Sequence, residues 1–181
     1  MDRLSSYTVS QAGSLKAGCL SQNGIFDVKN IKMSESLIIK EEILFKSSVE
    51  KIWDLLINPE MTKLYMYGCE LISDWKIGSP VHWNGRTENG EEMTYVTGKV
   101  IEYIEFEKVI STTFDPHSGL EDIPANHIHL TYELKKIEEG TLLTITQGDF
   151  AGAEDATKKY EESKAGWREV VVPAMKKILG E

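Results

Sequence analysis

The sequence predicts an α+β domain in which an antiparallel meander of strands precedes one long amphipathic helix. Between Ser79 and Phe150, five stretches alternate apolar and polar residues, with turn signals between them. Links that short join neighbouring strands of opposite direction. The last segment, AEDATKKYEESKAGWREVVVPAMKKILGE, switches to apolar residues three and four apart, the pattern of a helix with one buried stripe.

Residues 1–32 are rich in Ser, Gly, Asn and Gln, hold four basic and two acidic residues, and have neither helical nor strand period. They are expected to be a disordered leader, with Met33 a candidate start and residues 33–181 the folded domain. No run of the chain approaches the roughly 18 apolar residues of a membrane span.

SLIIKEEILF reads as the first strand, with Ile39, Ile43 and Phe45 on one face and Glu41 among them. On that face Glu41 is either a buried acid or a solvated one near a strand end. Ser47 or Ser48 offers an N-cap, and Glu50 a carboxylate in the first turn, for a helix carrying Val49, Ile52, Trp53, Leu55 and Leu56. It stops near Asn58-Pro59, because the residue before proline is pushed out of helical geometry. PEMTKLYMY is a second short helix with Pro59 in its first turn.

The five strands are SPVHWNGR, EEMTYVTGKVIEYI, EKVISTTF, NHIHLTYELKK and GTLLTITQGDF. Their turn signals include Asn84-Gly85, Asn89-Gly90, Asp115-Pro116, Ser118-Gly119 and Glu139-Gly140. The final helix has Ala153, Ala156, Tyr160, Trp167, Val170, Val171, Ala174 and Ile178 on its stripe. Gly166 and Pro173 should bend it.

Charge and cysteine content exclude several functions. The chain has 29 acidic and 20 basic residues, net −9, and residues 33–181 carry 27 against 16. A phosphate backbone or anionic lipid surface is repelled by such a domain. Cys19 and Cys69 form neither a disulfide framework nor a CxxC site, which suits a reducing cytoplasm.

In NHIHLTYELKK, Ile128, Leu130, Tyr132 and Leu134 share one face, and His127, His129, Thr131 and Glu133 share the other. The apolar face is the buried one, so both histidines are expected on a solvated strand face. A zinc site would need further ligands, for which only Glu133 and His117 offer themselves. Lys158, Lys159, Glu161 and Glu162 read as a charged helix face. There is no GxSxG elbow, P-loop, GxGxxG turn or HExxH. No catalytic residue, metal or cofactor is expected.

Four stretches, in order, resemble one family. SVEKIWDLLINPEMTKLY is similar to its first two helices, and DWKIGSPVHW to its aspartate-x-x-x-glycine turn entering a strand. GKVIEYIEFEKVI is similar to its glycine-x-valine strand and turn. GTLLTITQGDF with AGWREVVVPAMKKIL matches its penultimate strand and glycine-tryptophan helix. From Leu37 to Leu179 the chain thus resembles the activator of Hsp90 ATPase homologue 1 type of the START/Bet v 1-like superfamily. It departs at Glu105-Phe106, where the family has prolines, and at Gln147, where histidine is frequent.

The resemblance implies a helix-grip fold, a curved sheet wrapped around the long helix, with a cleft between them. Strand parity places Trp83, Val100, Leu130, Tyr132, Leu143, Ile145 and Gln147 on the concave side. Trp53, Leu56, Tyr65, Tyr160 and Trp167 come from the helices. Gln147 and Tyr132 stand out, because a polar atom facing a cleft needs a partner. The expected function is a non-enzymatic module holding a small apolar or amphipathic ligand. The alternatives are an Hsp90-type chaperone cofactor, as the resemblance implies, and a polyketide cyclase or aromatase, as related folds imply.

Overall fold

The computed structural model describes residues 36–153 and 155–181, so the expected leader lies outside the described residues. Strand β1 (Ile39–Phe45) leads into helices α1 (Val49–Ile57) and α2 (Pro59–Tyr65). Then come β2 (Glu70–Ile72), β3 (Pro80–Arg86), β4 (Glu92–Ile104), β5 (Lys108–Thr113), β6 (Ile128–Ile137) and β7 (Gly140–Gly148). The chain ends in a continuous 24-residue helix made of α3 (Ala156–Ala165), a π-helical segment (Gly166–Val171) and α4 (Val172–Leu179). This is the helix-grip architecture that the family resemblance implies.

Asn58 divides the two short helices as its position before proline requires. Its backbone is extended (φ −80°, ψ 120°), and its side-chain oxygen accepts from Glu60 N–H at 3.0 Å. Ser48 occupies the N-cap of α1 without a side-chain capping bond. Ile52, Trp53, Leu55 and Leu56 are buried, so α1 presents one apolar face to the sheet.

All seven strands form one antiparallel sheet in the order β1-β7-β6-β5-β4-β3-β2. The edge strand β2 is an addition to the sequence reading, because three residues are too few to show alternation. Asn84-Gly85, read as a turn, lies instead inside β3. There the register with β4 shifts: Trp83 pairs with Val96 and Asn84 with Thr94, leaving Tyr95 over as a bulge. The turn at Glu105-Phe106 closes without proline, with Phe106 in the left-handed region (φ 64°) and its ring 6.1 Å from Trp53. Gly98 lets β4 pass close over β5; a Cβ there would stand 1.8 Å from the Thr112 carbonyl oxygen.

The main core joins Ile39, Ile43 and Phe45 of β1 with α1, Leu130, Tyr132 and Leu134 of β6, Leu143 and Ile145 of β7, and Trp167, Val171 and Met175 of the last helix. Leu71, Val81, Trp83 and Val100 form a smaller cluster under β2–β4. The interruption expected at Gly166 and Pro173 takes the form of the π segment, whose wider turns change the buried stripe. Trp167, Val171 and Met175 line up inward, whereas Val170, expected on the stripe, is 43% exposed. The stripe also starts later than expected, because Ala153 lies in the turn before α3.

Candidate functional site

A cleft of about 640 Å³ lies between the concave face of the sheet and the last helix. Trp83, Tyr95, Val96, Thr113, Leu130 and Gln147 form its sheet side. Glu162, Ser163, Gly166, Trp167 and Val171 form its helix side, and Met66, Tyr67 and Cys69 its rim. A narrower annex of about 390 Å³ adjoins it. Val96, Thr113, Gln147, Glu162 and Ser163 line both, so the two are neighbouring stretches of one groove.

Trp167 anchors the helix side. Its indole N–H donates to Gln147 Oε1 at 2.8 Å, and its ring meets Tyr132 edge-on with centroids 6.1 Å apart. Gln147 pairs in the sheet with Ile39 and Leu130, both buried, so it belongs to the concave face. Gly166 lies beside the rim. Any side chain there would put its first carbon 3.3 Å from the Tyr67 hydroxyl, and Tyr67 itself is 68% exposed at φ 52°.

Of the residues the sequence pointed to, Trp83, Leu130, Gln147 and Trp167 meet at the cleft wall. Tyr132 stands behind Trp167, and Val100, Leu143, Ile145, Trp53 and Leu56 are packed in the core. Tyr65 is buried with its hydroxyl donating to the Leu55 carbonyl at 2.9 Å. Tyr160 packs against Phe150, with the Lys164 ammonium 5.1 Å from its ring centroid.

Several wall residues escaped the sequence reading. Val96 shares parity with Val100, and Ser163 lies four residues before Trp167, so a signal existed for both. Tyr95 faces the cleft only because of the bulge, and Met66, Tyr67 and Cys69 follow a helix end that has no period to read.

The wall is mostly apolar. Burial pushes the Cys69 thiol up, and burial keeps the Tyr132 phenol well above its ordinary range. Thr113 donates its hydroxyl to the Ile128 carbonyl at 3.0 Å. Among the described residues neither Cys69 nor Ser163 has a histidine or carboxylate partner, which a nucleophile would need for activation.

The histidines separate. His129 is exposed on the outer face of β6 as expected. His127 departs from the expected solvated position: it is half-buried beneath the loop that follows β5, stacked on Phe114 with centroids 5.1 Å apart. Its Nε2 lies 2.6 Å from Asp122 Oδ1 and its Nδ1 3.2 Å from Thr112 Oγ1. Parity failed because His127 precedes the strand proper, where the chain still follows the short helix Pro124–Asn126. Among the described residues no three His, Cys, Asp or Glu side chains gather as a metal site. Glu41 is half-buried and paired with Arg168, at 2.7 Å.

Another hollow, of about 610 Å³, lies outside the grip beside β2–β4. It is polar, and its Lys63 and Arg86 are engaged by Glu60, Glu70 and Glu92. The cleft under the last helix differs from it in being mostly apolar with few, convergent polar groups, the character of small-molecule sites in general.

A curved sheet gripping a long helix over an apolar cleft defines a protein of the helix-grip, Bet v 1-like class. Residues 46–180 match the family model described as activator of Hsp90 ATPase homolog 1-like protein, and the chain belongs to that family. No curated protein matches it. Among solved structures, the solution structure of ChR145 from Cytophaga hutchinsonii is 26% identical with a TM-score of 0.63, over 79% of this chain and 94% of that one. Protein MLL2253 from Mesorhizobium loti is 19% identical with a TM-score of 0.61, over 79% and 96%. PFC0360w, an Hsp90 activator from Plasmodium falciparum, is 18% identical with a TM-score of 0.59, over 79% and 94%. No helix among the described residues is long and apolar enough to cross a membrane.

Proposed function

We propose that this chain is a non-enzymatic binding module that holds a small apolar or amphipathic ligand between the sheet and the last helix, in the cytoplasm. The observation that carries this reading is the cleft itself, about 640 Å³ and walled by Trp83, Tyr95, Leu130 and Trp167 around the single amide of Gln147. That volume is in the range of small-molecule sites. The absence of an activated nucleophile among the described wall residues favours carriage over turnover.

Native mass spectrometry of protein purified without denaturation tests it. The expected result is a retained species of a few hundred daltons that is lost when Trp167 is replaced by alanine. A protein that stays at its bare mass, and whose Trp167 indole resonance is unmoved by added apolar compounds, overturns the reading.

A second reading, a cofactor of an Hsp90-type chaperone, is favoured by the family description and by the Plasmodium activator of similar fold. Its test is the ATPase rate of a purified Hsp90-type chaperone with and without this protein. An unchanged rate at saturating protein removes it.

A further inference from the structure

The proposed ligand can be narrowed by what the Gln147–Trp167 bond leaves over, an inference that rests on the cleft being a ligand site. An indole N–H can only donate, so the atom of Gln147 that lies 2.8 Å from it is the amide oxygen. This fixes the amide's orientation and leaves its two N–H donors. Among the described residues no protein group accepts from them, and Gln147 lines both the main cleft and the annex. A ligand oxygen is the natural acceptor, since a donor left unpaired beneath a bound apolar body is costly.

Charge sets the second condition. The main cleft has no Lys, Arg or His in its wall, and its one ionisable carboxylate is Glu162. In the annex, Asp115, Asp149 and Glu162 stand with Lys159 and His127. A ligand carboxylate seated at Gln147 would be desolvated with no cation in the main wall to meet it. The third condition is shape: the rings of Trp83, Tyr95 and Trp167 offer flat faces.

We propose that the cleft selects an uncharged, flat apolar ligand bearing one acceptor oxygen, that this oxygen is engaged by the Gln147 amide N–H, and that the corresponding carboxylate is rejected. Trp167 acts on selectivity twice, as a wall and as the donor that holds the Gln147 amide in one orientation.

Three probes of nearly equal shape test this: 2-acetylnaphthalene, 2-isopropenylnaphthalene and 2-naphthoate. Affinity is measured by calorimetry, and location by the NMR shift of the Trp167 indole N–H. The ketone is expected to bind about 3- to 10-fold more tightly than the alkene, the worth of one hydrogen bond, and the naphthoate most weakly. In Gln147→Met the ketone and the alkene should become equal. Gln147→Glu retains an acceptor for the indole and should also lose the preference for the ketone.

Equal binding of ketone and alkene to the wild type, or tightest binding of the naphthoate, with the indole resonance shifting in each case, overturns the selectivity and leaves the cleft as a ligand site. Failure of every probe to move the Trp167 indole overturns both. If neither variant folds, the order of the three probes on the wild type still decides.

Discussion

Arg168 Nε donates to Glu41 Oε1 at 2.7 Å, which ties the π segment of the last helix to the edge strand β1. Arg168 is 56% exposed at its side chain and Glu41 only 16%, so the pair spans from solvent to the rim of the core. Replacing Arg168 with Met should cost about 1 kcal/mol, near the upper end for exposed pairs, because it leaves the less solvated carboxylate alone. A double-mutant cycle with Glu41→Gln in urea should recover most of that loss and shrink in high salt. Strict additivity would show that the pair contributes nothing.

Trp167→Ala should destabilise the domain by about 3–5 kcal/mol, in keeping with truncation of a large buried ring. Trp167→Phe should cost much less while still breaking the bond to Gln147. Urea denaturation separates the two; an alanine variant as stable as the wild type would contradict the packing of the helix on the sheet.

Gly98→Ala should cost about 1–3 kcal/mol, because the methyl group meets the Thr112 backbone and not a movable side chain. Gly152→Ala, where a Cβ meets nothing within 4 Å, is the control and should be close to neutral. Thermal midpoints of both variants check the contrast.

Acid should loosen the two places where carboxylates hold backbone together. Hydrogen bonds from Ala151 N–H, Leu37 N–H and the Ser36 hydroxyl hold Asp149 below its ordinary range. At Glu181 partial burial pushes upward, and bonds from Lys46 and Ser47 outweigh it, so its value is lowered too. A depressed folded value means that the stabilisation is present above the unfolded value and is lost as pH falls through the folded one. Asp149→Asn and Glu181→Gln should each flatten the acid side of the stability curve and lower stability at neutral pH. An acid limb unchanged in both would remove these groups as its cause.

Much of this architecture is legible in the sequence because repeated patterns carry it. Alternation in LTYEL and ILF gives the buried faces of β6 and β1, and Asn58-Pro59 marks the break between α1 and α2. What escaped is what breaks a period. The bulge at Tyr95 turns one extra side chain toward the cleft, and the π segment moves Val170 out and Met175 into the core. Tyr67 and Cys69 belong to a turn after α2, where position depends on tertiary contacts alone. Trp83, Leu130, Gln147 and Trp167 could be read from parity and helical spacing, but parity could not separate wall from interior, since Ile145 and Gln147 share a face two residues apart.

The short strand at one border of the sheet also bears on how the protein behaves in a crowded solution. A border strand exposes unpaired peptide groups that invite a second chain to add to the sheet. With β2 limited to Glu70–Ile72, a would-be neighbour finds too little ladder to hold. At the opposite border, Lys40 and Glu42 set charges along β1. An open sheet of this kind can keep its concave side available to small molecules without growing into a polymer, and lengthening β2 by a few apolar residues would be the direct way to remove that protection.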